Sequence, residues 1–164
     1  MTSASTLERM SPELRRVAER ARREPEGKFH SVAHLIDEAT LARAFHRLRR
    51  DAAVGVDGVS VETFGRALEP RLADLHGRLK TMTYRHQPIR RVHIPKGNGK
   101  TRPIGVSATE DKVVQGALRE VLEAVYEQDF KDCSYGFRPK RGSHDAMRAL
   151  RSATSPGHVV SEHA

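Results

Sequence analysis

Residues 91–106 read RVHIPKGNGKTRPIGV. Polar and apolar residues alternate from Arg91 to Ile94, and Ile104 and Val106 repeat this two-residue spacing, which is typical of β-strands. The segment 96–100 between the two runs contains two glycines and an asparagine, a composition typical of a tight turn. This stretch therefore predicts a β-hairpin with a basic, glycine-rich tip, and its prolines limit the hairpin to a short or edge-type ladder.

Helical patterns lie on both sides of the hairpin, and most of them begin at a serine suited to capping a helix. The predicted helices begin after Ser11, Ser31, Ser60, Ser107 and Ser143, with a kink or restart at Pro70. The second of them is expected to run to about residue 51. Paired apolar residues from Val113 to Tyr126 predict that the helix after Ser107 is deeply packed. Glycine-rich segments at 54–58 and 130–142 predict a turn and an irregular loop. One β-hairpin among several helices predicts an α+β fold class that is mostly helical.

Composition excludes several classes of protein. The 164 residues suit one domain, and they contain no apolar run of the ~20 residues that a membrane span needs. The first ten residues contain no apolar segment typical of a secretory signal. The single cysteine, Cys133, excludes a disulfide scaffold, so we expect a cytoplasmic protein without a membrane partner.

Positive charge is concentrated in two segments. The formal net charge is +8, and residues 75–109 contain eight lysines and arginines but no acidic residue. Residues 131–151 contain six basic and two acidic residues. Clustered positive charge is typical of proteins that bind nucleic acid, although a solvated basic face remains the alternative.

Two candidate binding sites follow from these segments. At the hairpin tip, glycines allow close backbone approach while Lys96, Lys100 and Arg102 could reach phosphate oxygens; the alternative is a solvated turn. In the loop 134–143, aromatic rings could stack on bases while cations hold phosphates; the alternative is that the rings pin the loop to the core. The loop residues concerned are Tyr135, Phe137, Arg138, Pro139, Lys140 and Arg141.

Metal and nucleophile signals are weak. His30 and His34 are four residues apart, which suits a ligand pair on one helical face, but no third ligand is visible. Nothing around Cys133 resembles a nucleophile motif, so we expect a structural cysteine. We therefore predict neither a metal site nor a catalytic residue.

Taken in order, these segments resemble the N-terminal part of the bacterial group II intron reverse transcriptase/maturase family. The resemblance covers about residues 35–155. It rests on VGVDGV at 54–59, on YR at 84–85 followed by IPKGNGKTRPIGV at 94–106, on DKVVQ at 111–115, and on SYGFRP at 134–139 with RGSHDA at 141–146. It implies a mostly helical fingers subdomain, over residues 31–155, of an RNA-directed DNA polymerase, preceded by a charged helical leader over 1–30.

The resemblance also implies roles for individual residues. Lys96 and Arg102 match the family's cations that grip the triphosphate of the incoming deoxynucleotide. The loop at 137–139 matches the family's loop beside the template and the nucleotide pocket. The charge and aromatic patterns, which are separate evidence, add Arg90, Arg91, Lys100, Tyr135, Lys140 and Arg141 as predicted contacts to nucleic acid. The implied partners are intron or template RNA and a DNA primer.

Catalysis in this family uses two Mg²⁺ ions held by palm carboxylates, part of them in a Tyr-x-Asp-Asp turn. The sequence has no Asp-Asp pair. Residues 158–160 stand where the first palm strand would begin, but residues 161–164 do not continue it. Glu162 is a carboxylate near the right place, but we expect it to be a poor ligand so close to the terminus. We therefore expect a fingers fragment with a divergent tail at 156–164, without palm or thumb and inactive alone. The alternative is a stand-alone RNA-binding module.

Overall fold

The computed structural model describes residues 10–154, and these residues confirm the α+β class. They form six α-helices, one 3₁₀ turn at Ala33–Leu35 and one two-stranded sheet. In chain order these are α1 Pro12–Arg23, α2 Glu38–His46, α3 Val61–Gly65, α4 Leu68–Lys80, β1 Arg90–Pro95, β2 Thr101–Val106, α5 Thr109–Tyr126 and α6 Ser143–Thr154. No helix in the described range is both long and apolar enough to cross a membrane.

The chain divides into two compact units. The larger unit comprises residues 27–123, and the smaller unit comprises, within the described range, residues 10–26 and 124–154. The core of the larger unit is built where α2, α3, α4 and α5 meet, with the rings of Phe45 and Phe64 stacked at 5.7 Å between centroids. Its buried members are Leu41, Ala44, Phe45, Val61, Phe64, Leu72, Leu75, Val113 and Ala117.

The predicted hairpin is confirmed. Strand β1 pairs antiparallel with β2, and the register places Val92 opposite Ile104 and Ile94 opposite Arg102. Three successive tip residues, 97–99, have φ values of 66°, 49° and 69°. Glycine and asparagine are the residues that adopt this left-handed region most easily, which explains why the sequence GNG occurs here.

The break within the third predicted helix is also confirmed. Ser60 caps α3, because its hydroxyl accepts a hydrogen bond from the N–H of Thr63 at 3.0 Å. The helix stops at Gly65 and restarts at Leu68, so that Pro70 falls in the first turn of α4. Proline is tolerated there because the first-turn N–H groups have no partner within the helix.

The predicted helix from Ser31 to about residue 51 is wrong in its start and its length. A 3₁₀ turn follows Ser31, and α2 covers only residues 38–46. The true cap is Asp37, whose Oδ1 accepts hydrogen bonds from both the N–H and the hydroxyl of Thr40 at 2.7 Å. The single hydroxyl proton of Thr40 is shared between Asp37 Oδ1 and the carbonyl of Leu35, which lies 2.9 Å from the hydroxyl, so Thr40 also fixes the backbone that precedes the cap.

The helix after Ser107 is confirmed, but two of its predicted details are wrong. It begins at Thr109, and the Ser107 hydroxyl accepts a hydrogen bond from Gln115 instead of capping the helix. Only one column of the predicted two-residue stripe is deeply buried, because Leu118, Leu122 and Tyr126 are between 41% and 55% exposed. The buried column contains Val113, Ala117, Val121 and Ala124, with the carboxylate of Glu120 beside it.

The smaller unit contains α1, the end of α5, the loop 130–142 and α6. Helix α1 is capped by Ser11 as predicted, and its residues Leu14, Ala18 and Ala21 are buried. The irregular loop is confirmed, and α6 begins at Ser143 itself. The predicted tail at 156–164, including residues 158–160 and Glu162, lies outside the described residues, as do the first nine residues of the predicted leader.

Candidate nucleic-acid interface

Four of the five cations proposed for the hairpin share one of its two faces. Because side chains alternate along a strand, Arg90 lies on the same face as Ile94 and its partner Arg102. Lys96 and Lys100 continue this register, since the N–H of Lys96 donates to the carbonyl of Lys100 at 2.8 Å. Arg91, opposite Gly105, occupies the other face with His93. We call the face that carries Arg90, Lys96, Lys100 and Arg102 the cationic face.

The positive charge of this hairpin is not neutralised by neighbouring acids. Within residues 10–154, no carboxylate forms an ion pair with the hairpin cations at 90, 91, 96, 100 or 102. Arg90 donates instead to the carbonyl of Val54 at 3.0 Å. By contrast, Arg78 is held by Glu110 at 2.7 Å and by Asp74 at 2.8 Å, and these hydrogen bonds raise the pKa of its guanidinium. Within the segment 75–109, Arg78 therefore contributes less free positive charge than the hairpin cations do.

The entry to the hairpin is fastened to the first turn of α5. Buried Asp111 accepts a short hydrogen bond from the Tyr84 hydroxyl and another from the N–H of Gln87 at 3.1 Å. Burial and the Asp111 carboxylate together raise the pKa of the Tyr84 hydroxyl, so it stays protonated and donates. The root of the hairpin is therefore held by a buried polar contact, which the sequence patterns do not indicate.

The segment 53–59 is fastened to the same helix. Lys112 donates to the carbonyl of Ala53, and the hydroxyl of Thr109 donates to the carbonyl of Val59 at 2.6 Å. Gly55 lies so close to α5 that a Cβ atom would come within 2.5 Å of the Cα of Ala108. This glycine therefore permits backbone-to-backbone contact, while Gly58 provides the left-handed turn with φ 67°.

An open cleft of about 450 Å³ lies beside the hairpin root, and it is lined by Arg49, Asp51, Ala52, Ala53, Gly105, Val106, Ser107, Lys112 and Gln115. Its two cations are already engaged. Arg49 is paired with Asp51 at 2.6 Å, and Lys112 donates to a backbone carbonyl. The cleft is therefore a weaker anion site than the exposed cationic face.

In the smaller unit, the loop 130–142 is built around Arg138. The Arg138 side chain is only 4% exposed. Its Nε and one terminal nitrogen donate to Glu127 Oε1 at 3.0 and 2.7 Å, and the other terminal nitrogen donates to the carbonyls of Lys131 and Ser134. The guanidinium also lies 5.1 Å from the centroid of the Phe130 ring. Arg138 therefore organises the loop from inside, and Glu127 is a residue of this site that the sequence patterns missed.

The remaining loop residues present different surfaces. Phe137 is fully exposed, with φ 58°, and Lys140 has φ 59°. Tyr135 is half-buried beneath the guanidinium of Arg141, which lies 5.5 Å from the ring centroid. Arg141 also pairs with Asp132 at 3.4 Å, and Pro139 is half-buried. Of the two aromatic rings, only Phe137 is open to a ligand on both sides.

No three His, Cys, Asp or Glu side chains among residues 10–154 come close enough to hold a metal ion. His30 and His34 are both exposed, with His34 in the 3₁₀ turn, and Cys133 is exposed.

The chain is similar to several curated proteins. It is 43% identical over 97 residues to protein YkfC of Escherichia coli, covering 59% of this chain and 26% of that protein. It is 36% identical over 109 residues to the group II intron-encoded protein LtrA of Lactococcus lactis, covering 66% of this chain and 18% of that protein. A 91 kDa protein encoded in the cob intron of Schizosaccharomyces pombe is 36% identical over 105 residues. No protein-family model matches the chain.

The chain is a relative of the group II intron-encoded proteins. The similarity confirms the resemblance found in the sequence motifs. A nuclear intron maturase of Arabidopsis thaliana is also similar, with 40% identity over 42 residues. The chain spans only about a fifth to a quarter of the length of YkfC and LtrA. The activity of such whole intron-encoded proteins therefore enters only as a proposal.

Proposed function

We propose that this chain is the fingers part of a group II intron reverse transcriptase, and that it binds RNA and the triphosphate of a deoxynucleotide. The observation that carries the proposal is the cationic face, on which four cations without acidic partners in the described range share one side of an exposed hairpin. Kinship with intron-encoded proteins supports an RNA partner.

Lys96 and Arg102 are the proposed triphosphate ligands. Arg102 lies on β2 two residues after Lys100, and the N–H of Lys96 donates to the carbonyl of Lys100 at 2.8 Å. Three cations therefore project from one end of the same face, where they could surround an anion that carries several charges. A phosphate group binds such a cluster because its charge is spread over several oxygens.

Arg90, Arg91 and Lys100 are the proposed contacts to the RNA backbone, with the loop 135–141 as a second contact. Phosphate contacts of this kind position a nucleic acid without reading its sequence. The proposed contribution of the chain is binding rather than nucleotidyl transfer, because the described residues gather no carboxylate cluster. In an RNA-directed DNA polymerase of this kind, Mg²⁺ would be held by carboxylates elsewhere.

The test uses the full chain and a triple variant, Lys96→Gln/Lys100→Gln/Arg102→Gln. The matched control is Arg22→Gln/Arg23→Gln/Lys28→Gln, which removes three exposed cations outside the hairpin. Filter retention measures RNA binding at two salt concentrations, and equilibrium dialysis measures binding of a deoxynucleoside triphosphate. We expect the hairpin variant to lose both activities and the control to retain them.

Primer extension on an RNA template, with Mg²⁺ and deoxynucleotides, completes the test. We expect no extension by the chain alone, and extension would contradict a role limited to binding. RNA binding without triphosphate binding would favour the stand-alone RNA-binding module. Equal losses in the hairpin variant and its control would show that net charge, and not the cationic face, accounts for binding.

A further inference from the structure

The interior of the loop 130–142 leaves Arg138 little capacity to bind a ligand. All three guanidinium nitrogens already donate to protein oxygens, at 2.7 to 3.0 Å. Its partner Glu127 is equally enclosed, with a side chain only 10% exposed. A buried, multiply hydrogen-bonded ion pair of this kind fixes geometry, and removal of one partner leaves the other charge buried and unpaired.

The residue next to Arg138 has the opposite environment. Phe137 has a relative exposure of 106% and a φ of 58°. A bulky residue is rarely found in this left-handed region, and such strain persists only where the surrounding structure imposes it. The contacts of Arg138 with the carbonyls of Lys131 and Ser134 tie the backbone that precedes the turn to the residue that follows Phe137. The Arg138 contacts therefore hold the backbone around Phe137, whose apolar ring projects into solvent.

We propose that Glu127 is a positioning residue, which acts through Arg138 to hold Phe137 outward as a stacking platform for an unpaired RNA base. This inference rests on the proposed RNA binding and names the ligand of the loop. Aromatic rings bind single-stranded nucleic acid by stacking, because every base has a π-face. Tyr135 is not equivalent, since the guanidinium of Arg141 already lies over its ring.

This proposal and a direct role of Arg138 in phosphate binding predict opposite effects on RNA affinity when the Glu127 charge is removed. If Arg138 bound phosphate, loss of the Glu127 charge would release the guanidinium and strengthen RNA binding, with a steeper salt dependence. If Glu127 positions Phe137, the same change weakens binding because the platform is lost. A single substitution therefore distinguishes the two roles.

The first experiment places a reporter in the platform. The chain contains no tryptophan, so Phe137→Trp introduces a single fluorophore that keeps the stacking ring. An oligoadenylate of about ten nucleotides is the probe, with its blunt duplex as the comparison. We expect the emission of Phe137→Trp to be quenched by the single strand and much less by the duplex. The control Met147→Trp, at an exposed position of α6, is expected to show little quenching.

The second experiment tests Glu127 in the Phe137→Trp background. Glu127→Gln is compared with Glu123→Gln, which makes the same charge change on α5 but removes only a pair with Arg119. We expect Glu127→Gln to reduce both the quenching and the affinity, while Glu123→Gln leaves both unchanged. Without the reporter, Phe137→Ala is expected to weaken binding roughly 5- to 150-fold at constant salt slope.

Two further results decide the matter. Arg138→Lys tests the same ion pair from its other partner, in case Glu127→Gln folds poorly. Lysine keeps the charge but lacks the planar fork of arginine, so we expect this variant to show the same loss of quenching and affinity. Stronger RNA binding by Glu127→Gln, or undiminished quenching in both variants, would overturn the inference. Absence of RNA binding by the unmodified chain would overturn the proposed function itself. Loss of binding in the hairpin variant, together with no quenching of the Phe137→Trp fluorophore by RNA, would overturn only the platform.

Discussion

At the scale of single residues, two glycines show that one added Cβ atom can have opposite effects on the free energy of unfolding. In Gly55→Ala, the new Cβ would lie 2.5 Å from the Cα and 2.6 Å from the nitrogen of Ala108. Both atoms belong to the backbone of the segment that leads into α5, so neither can move aside cheaply. We expect a loss of about 1–3 kcal/mol in the free energy of unfolding, measured by urea denaturation.

Gly77→Ala is the matched control. Gly77 lies within α4, is exposed, and would have nothing within 4 Å of its new Cβ. Alanine is the better helix former, so this change should stabilise the protein by about 0.5–1 kcal/mol. If both substitutions had the same sign, the close approach of residue 55 to α5 would be wrong.

The cap of α2 provides a prediction with a defined pH dependence. Burial acts to raise the pKa of Asp37, but the hydrogen bonds from Thr40 outweigh it and hold this pKa below its usual value. Asp37→Ala should therefore cost about 0.5–2 kcal/mol near neutral pH. Because the charged form is the better acceptor, this contribution is lost as the pH falls below about 4, the ordinary pKa of the side chain.

The check is urea denaturation of Asp37→Ala and the unmodified chain at neutral and acidic pH. The difference in unfolding free energy should shrink on acidification. Ser31→Ala is the control, because the serine predicted to cap this helix lies before the 3₁₀ turn instead. A large loss of unfolding free energy in Ser31→Ala would instead favour the sequence-based prediction that Ser31 caps this helix.

At the scale of elements, Glu120 links two helices across the core of the larger unit. Its carboxylate is 4% exposed and accepts from Arg43 of α2 at 2.9 Å and from neighbouring Arg47 at 2.7 Å. Glu120→Gln keeps the shape but loses two charge-assisted hydrogen bonds. We expect a destabilisation of about 1–3 kcal/mol, which a thermal melt would detect.

Glu62→Gln is the control for this prediction. Glu62 forms an exposed pair with Arg66 within four residues of sequence, and both side chains are more than 70% exposed. Exposed pairs of this kind contribute little, so the change should alter stability by less than about 0.5 kcal/mol. Equal losses in the two variants would argue that burial of Glu120 has no energetic consequence.

These elements also show what sequence patterns can and cannot predict. The hairpin, the Ser60 cap and the helix restart next to Pro70 were predictable because each depends on residues that are neighbours in sequence. The single buried column of α5 was not, because Leu118 and Leu122 have the same helical spacing as Val113 and Ala117 and differ only in what packs against them. Periodicity locates the apolar face of a helix but does not indicate how much of that face is covered by neighbouring elements.

The candidate site divides in the same way. The cations at 96, 100 and 102 could be identified from local charge, whereas their common face became visible only in the strand pairing. Their role as ligands stays a prediction. The pairing of Arg138 with Glu127 joins residues eleven positions apart across an irregular loop, where no periodicity applies. The sequence therefore marked Arg138 only as another surface cation of a basic loop.

At the scale of the whole molecule, the lysines and arginines fall into two classes that net charge does not separate. Lys96 and Lys100 are exposed and have no acidic partner in the described range, whereas Arg119 and Arg148 are each paired with a carboxylate one turn away. Only cations that replace condensed counterions on phosphates contribute to the salt dependence of RNA binding.

Two double variants separate these classes. Lys96→Gln/Lys100→Gln and Arg119→Gln/Arg148→Gln remove the same charge, so a purely long-range attraction to RNA would weaken equally in both. If the cationic face contacts phosphates directly, the first variant should flatten the slope of log K against log salt by about 1.4, from roughly 0.7 per phosphate contact on a single strand. The second should leave the slope nearly unchanged, because its arginines already face protein carboxylates. Equal flattening in the two variants would instead mean that the overall field of this basic chain, and not the hairpin, attracts RNA.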